Sequence, residues 1–296
     1  MNALDKLDAV QITEDNRISE NDLLFCKAHQ EAYTAAKTAL TELEYIWTDI
    51  VSRQAETLKS AAAIWNNVQK YAYVPHFSTE KIHEQMELLH DIFISNLVRY
   101  FNNRYHVCLD VDSIIDLLLP HKPKSDYLSP NTEAIEEYHQ KLRSMKVDYK
   151  DVLDQIFIQL GGRTFLERAV DEIKERCHKA AWSTYSGKAE YELKNDTIRF
   201  TYGCQFSDLF GKWELTDSME EILRGMAYFE SEILGYYPAS IENLLGWNRR
   251  EDPIFEFASC AKFQSLRMFK NGRVDVKFKN KGYASKFVSE FLGLVC

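Results

Sequence analysis

Residues 269–278 read FKNGRVDVKF. The pair Asn271-Gly272 separates an apolar run from Val274, Val276 and Phe278, which alternate with Asp275, Lys277 and Lys279. Asn-Gly set between alternating hydrophobics is a strong local hairpin signal, and a period of two places every second side chain on one face of a sheet. The stretch therefore predicts an antiparallel hairpin with Val274, Val276 and Phe278 turned inward. An amphipathic segment carrying Phe287, Val288, Phe291 and Leu292 follows, so the unit reads as strand, turn, strand and helix.

Working outward, glycine divides the chain. All eleven glycines of the 296 residues lie at or beyond Gly161, so the preceding half lacks the residue that most readily supplies positive-φ turns and strand corners. That half is expected to be helical. Residues 1–160 carry 16 basic and 25 acidic side chains whereas residues 161–296 carry 20 of each, so the net charge of −9 belongs to the helical half. Between Asp22 and Tyr73 there is neither Pro nor Gly, and Leu40, Leu43, Trp47, Ile50 and Trp65 belong to an apolar series at spacings near three and four. This predicts one long amphipathic helix, or two in near continuity. Fifty helical residues would extend roughly 75 Å, so the segment either folds back into a bundle or reaches out as an arm towards another subunit or partner.

Further helices are expected after the Ser78-Thr79 cap, over Ser113–Leu119 with Asp112 as N-cap, and over Glu133–Met145, Tyr149–Leu160 and Thr164–Trp182. Gly161-Gly162 reads as a helix C-cap and hinge. The segment YHVCLDVD (105–112) admits a short strand, and AEYELKNDTIRFTYG (189–203) reads as a hairpin turning at Asn195-Asp196. Asp217 and Glu220 have capping-box spacing before another helix with Gly235 beyond its end, and a short helix is expected over Ile241–Leu245. The predicted fold is α+β. An N-terminal helical arm occupies 1–75, a helical region 76–160, and a mixed α+β domain with antiparallel hairpins 161–296.

No apolar run approaches the roughly 18 residues of a membrane span, and the leading MNALDKLDAVQITEDNR has no signal-peptide character. A cytoplasmic protein without membrane attachment is the expectation. Six scattered cysteines include no C-x-x-C pair, which argues for reduced thiols. Neither phosphate-binding glycine loop and no G-x-S-x-G elbow is present.

Glu87/His90, Glu136/His139 and Glu175/His178 have the E-x-x-H spacing of di-iron bundles, yet (i, i+3) pairs are also ordinary helix-surface neighbours. Asp110, Asp112 and Asp116, with Glu192-x-Lys194, form a candidate magnesium nuclease set, although two-metal chemistry needs carboxylates converging on both ions. The weight falls on no metal and no cofactor. Lys270, Arg273, Lys277 and Lys279, interleaved with aromatics, are the candidate partner-binding residues. Such a pattern suits a nucleic-acid surface as well as a solvated strand face.

The motif FKNGRVDVKF followed by an apolar helix resembles the carboxy-terminal signature of domain of unknown function 4942, found in phages and mobile elements, which runs F-K-N-G-N-x-H-L-x-F. Phe269, Lys270, Asn271, Gly272 and Phe278 match, while Arg273 replaces the second Asn and Asp275 replaces the His. The segment DIFISNLVRYFNNRYHV (91–107) is similar to an earlier stretch of the same family. The whole-chain plan also resembles phage proteins that disarm the Gabija defence system. That resemblance implies a non-enzymatic, homo-oligomeric inhibitor that encloses a nuclease–helicase complex of the host and denies it DNA, acting in the host cytoplasm. The acidic helical half suits such a role, since it can occupy cationic DNA-binding ground without binding DNA itself. The alternatives are a nucleic-acid-associated accessory module using the basic hairpin and a divergent metal-dependent nuclease.

Overall fold

A computed structural model describes residues 17–62, 79–123, 132–246 and 250–293. The fold is α+β, with helices in the first half and antiparallel sheets in the second. The chain divides into two compact units. One takes its described residues from Met1–Arg104 and Leu109–Gly162, the other from Tyr105–Cys108 and Arg163–Cys296.

The first unit is built from α1 (Glu20–Ala62), α2 (Thr79–Tyr105, as far as Arg104), α3 (Val111–Leu118), α4 (Thr132–Ser144) and α5 (Tyr149–Leu160). Helix α1 is one continuous helix of 43 residues. Asp22, Cys26, Tyr33 and Glu44 are its buried residues, and at 100° per residue they fall on one narrow stripe. The stripe is unusually polar, and each polar member is satisfied. Asp22 accepts from Ser19 Oγ at 2.6 Å and Tyr100 Oη at 2.8 Å, and pairs with Arg104 at 2.7 Å. Glu44 accepts from His83 Nε2 at 2.8 Å and from Arg143. Gln30 bridges from α1 to the start of α5, donating to the Val147 carbonyl and accepting from the Tyr149 amide. Buried carboxylates are tolerated only when paired in this way.

The second unit contains α6 (Phe165–Ala181), β1 (Tyr191–Lys194), β2 (Thr197–Phe200), β3 (Cys204–Ser207), β4 (Lys212–Leu215), α7 (Asp217–Ser231), α8 (Ala239–Glu242), β5 (Ile254–Glu256), β6 (Phe263–Met268), β7 (Val274–Phe278) and α9 (Lys281–Phe287), which runs into a π-turn over Val288–Leu292. Five strands form one antiparallel sheet in the order β1-β2-β7-β6-β5, and β3 pairs with β4 alone. Val274, Val276 and Phe278 have no exposed surface, while Asp275 and Lys277 stay half-buried on the other face. On β6, Phe263 and Leu266 are an odd number of residues apart and yet both fully buried. A bulge reconciles them: the register shifts between Phe263 and Ser265, so two β6 residues oppose one on β7. The buried face carries an aromatic cluster in which Phe263–Phe278, Phe278–Phe287 and Phe287–Phe291 have ring centroids 4.8, 5.8 and 4.9 Å apart.

The Asn271-Gly272 turn is a three-residue loop. Gly272 Nα–H donates to the Phe269 carbonyl, Phe269 Nα–H donates to the Arg273 carbonyl, and Gly272 takes φ of 86°, the left-handed position that such a loop requires. The second hairpin turns at Asn195-Asp196 as expected, with Asn195 at φ 57° and Lys194 opposite Thr197. Gly161 ends α5 in the left-handed region.

Four local expectations are corrected. Residues 105–112 contain no strand: His106 turns into the left-handed region, and side chains satisfy the backbone that follows. The Leu109 amide and carbonyl both bind the Asn102 carboxamide, and those of Asp110 bind Gln159. Asp110, rather than Asp112, caps α3 by accepting from Ser113. Thr216, rather than Asp217, caps α7, because its Oγ1 accepts from the Met219 amide. The short helix lies at Ala239–Glu242, starting two residues and ending three residues earlier than Ile241–Leu245.

His90 yields a pH dependence. It is wholly buried, bonded through Nδ1 to Tyr33 Oη at 2.8 Å and through Nε2 to the Leu142 carbonyl at 3.0 Å. Burial lowers its pKa, the Leu142 carbonyl opposes this, and Lys37 adds to the lowering. His139 is lowered too, by burial and by His83. With the folded value below the unfolded one, the unfolded chain binds more protons between them, so stability is complete above the ordinary imidazole pKa of about 6.5 and is lost as pH falls through it. Urea unfolding should show the midpoint dropping between about pH 7.5 and 5.5, with a smaller drop in His90→Gln.

Candidate functional site

Beyond Glu44 the character of α1 changes. No residue from Tyr45 to Lys59 is buried. Leu43 (39% exposed), Ile46 (54%) and Ile50 (39%), with Trp47 half-buried among them, form an apolar band at spacings of three and four. Val51 extends the band, and Tyr45 is exposed on another side of the helix. Leu40 is half-buried at its inner end, while Trp65 lies outside the described residues. The helix thus buries a stripe in its first half and bears an exposed apolar band in its second.

The basic hairpin residues are mostly engaged within their own unit. Lys270 Nζ lies 4.2 Å over the Phe206 ring and 4.0 Å from Asp208. Arg273 stacks at 3.9 Å on Phe269 and pairs with Asp275 at 3.0 Å. Lys279 Nζ donates to the Cys260 carbonyl at 2.7 Å, and Lys277 stands half-buried opposite Thr197 and Ser265. Asp275 is therefore an ion-pair partner on the sheet face opposite the core.

The histidines of the E-x-x-H pairs have structural partners. His90 is the core histidine described above, and its neighbour Glu87 pairs with Lys122 at 2.9 Å. The buried position of His90 departs from the reading of these pairs as ordinary helix-surface neighbours. The His139 ring packs 4.2 Å from His83, and His178 Nδ1 meets the Leu292 carbonyl at 3.2 Å. Glu192 and Lys194 are exposed neighbours 3.3 Å apart. Among the described residues, no group of three or more His, Cys, Asp or Glu side chains is placed to hold a metal ion. Nor is any helix there long and apolar enough to cross a membrane.

A cleft of about 270 Å³ lies within the second unit. Helix α6 contributes Arg176 and Ile173, α7 contributes Glu221, Arg224 and Tyr228, and the segment 233–237 and residues His106–Cys108 complete the lining. Gly235 has φ of 70°, and a Cβ there would stand 2.5 Å from His106 Nε2, so glycine lets the imidazole sit against the backbone. Glu172, almost fully buried, accepts from the Cys108 amide and from Arg168 Nε, each at 2.8 Å, and holds this corner in place. Burial and the Glu172 charge raise the Cys108 pKa, the opposite of what a nucleophilic thiolate needs. Burial and Glu232 likewise keep the Tyr228 hydroxyl protonated. Sequence reasoning passed over this cleft, because Arg176, Glu221 and Arg224 look like solvated charges on amphipathic helices. The only local signal was Gly235, legible as a helix stop alone.

Comparison of the chain with protein-family models, curated proteins and solved structures finds no match.

The aspartates of α3 can be tested as caps against metal ligands. Asp110 accepts from both Ser113 N–H and Oγ, which hold its carboxyl below the usual range. Asp110→Ala should lower the thermal midpoint and Asp112→Ala should leave it in place. Added Mg²⁺ should raise the midpoint of neither the parent nor the variants, as followed by circular dichroism.

Proposed function

We propose that the protein acts by stoichiometric association rather than by turnover, docking the outer half of α1 on a cationic, nucleic-acid-handling surface of a host protein complex. The observation that carries this reading is the exposed Leu43-Ile46-Ile50 band on a helix of the half that holds the whole net charge of −9. An apolar band supplies burial on contact, and the net negative charge of that half favours a basic partner and speeds encounter. The resemblance to phage anti-defence proteins supports placing that partner among nuclease–helicase complexes of the Gabija type. It also supports homo-oligomerisation, which would present several arms to one target.

The test is a titration of a purified Gabija-type complex. Inhibition of its DNA cleavage should saturate at a fixed molar ratio, and Ile46→Glu/Ile50→Glu should weaken it at least about tenfold while changing stability by no more than about 0.5 kcal/mol. Catalytic, sub-stoichiometric inhibition would overturn the proposal, and so would full potency in the double variant.

A further inference from the structure

We infer that the cleft between α6 and α7 binds a small phosphomonoester whose body carries a planar ring, of the nucleoside monophosphate type. This is independent of the docking arm, which belongs to the other unit.

The donors come first. Arg176 and Arg224 extend from different helices to the same Glu221 carboxylate, yet neither closes a tight pair with it. Arg176 Nε stands 3.9 Å from a Glu221 oxygen and Arg224 Nε 3.4 Å from the other. Charge-assisted bonds between such groups normally close to about 2.7–2.9 Å. The Arg224 guanidinium makes no hydrogen bond to any described residue, and its Nε is shut off from solvent; Glu220 approaches no nearer than 3.7 Å. Arg176 gives only its Nε, to the Glu172 carbonyl at 3.3 Å. Two planar forks thus face one cleft with most of their donors uncommitted. Guanidinium forks match phosphate oxygens in pairs, which favours a phosphate over a single point acceptor.

The remaining lining sets the rest of the ligand. Tyr228 keeps its proton and adds a neutral donor, and Tyr236, 53% exposed, puts a second aromatic ring in the lining, against which a planar ligand could stack. Ile233 and Val107 supply apolar contact. The volume falls just under the roughly 300–1,000 Å³ of drug-sized sites, which limits the occupant to a small metabolite. Glu221 is an internal competitor: a bound phosphate would take over the guanidiniums that the carboxylate now holds loosely. The two Arg and one Glu leave the lining net positive, and removing the Glu221 charge should strengthen anion binding.

Calorimetric titration of the full chain with adenosine 5′-monophosphate, inorganic phosphate and adenosine tests this. The monophosphate should bind, phosphate should compete with it, and adenosine should bind at least about tenfold more weakly than the monophosphate. Arg224→Ala and Arg176→Ala should each weaken the monophosphate at least about tenfold, whereas Glu221→Gln should tighten it. The opposite signs separate a site from general unfolding, which would weaken binding in every variant. The inference is overturned if neither phosphate probe binds the parent or Glu221→Gln, if adenosine binds as well as its monophosphate, or if the arginine variants bind unchanged.

Discussion

The mixed unit depends on one constraint: β7 must lie in the middle of the sheet. Its five residues are hydrogen-bonded on both edges, to β2 and to β6, and three of them contribute side chains with no exposed surface. A strand buried in this way admits no slip in register, since moving by one residue would drive Asp275 and Lys277 into the Phe263-Phe287 cluster. The β6 bulge and the left-handed Gly272 both serve that register. One realigns Leu266 with Phe263, and the other fixes the loop that brings Met268 opposite Val274.

The helical unit is held by a different means. The stripe that docks α1 includes Asp22 and Glu44, and fixed hydrogen bonds replace part of what apolar burial would otherwise supply. Removing one partner from such a group costs more than the net worth of the bond, because the other is left buried and unsatisfied. The arrangement therefore specifies one seating of the helix. Where the polar stripe ends at Glu44, so does full burial, and the apolar residues beyond it are left on the surface.

Local patterns were readable in the sequence to the extent that their causes are local. The FKNGRVDVKF hairpin, the Asn195 turn, the Gly161 cap and the helices of the first half follow from period, glycine and capping chemistry. The pairing of β2 with β7 had no local signature, as nothing in TIRF or VDVKF names the other strand. Residues 105–112 misled because Val107, Leu109 and Val111 alternate as in a strand. The ladder bonds that alternation suggests are supplied instead by side chains, among them the carboxamides of Asn102 and Gln159. The cleft was illegible for a related reason: Arg176 and Glu221 are 45 positions apart, and a charged residue on a helix reads the same whether it faces solvent or a cavity.

The central place of β7 also bears on how the protein is made. Strand β2 emerges from the ribosome roughly seventy residues before the strand that will cover its free edge, so Ile198 and Phe200 must wait, with their backbone unpaired, through much of the unit's synthesis. During that interval the nascent hairpin is a sticky half-sheet, open to pairing with its twin on a neighbouring polysome. Slow decoding between β4 and β6 would lengthen the exposure, and rapid translation of that stretch is the simplest protection a cell could give it.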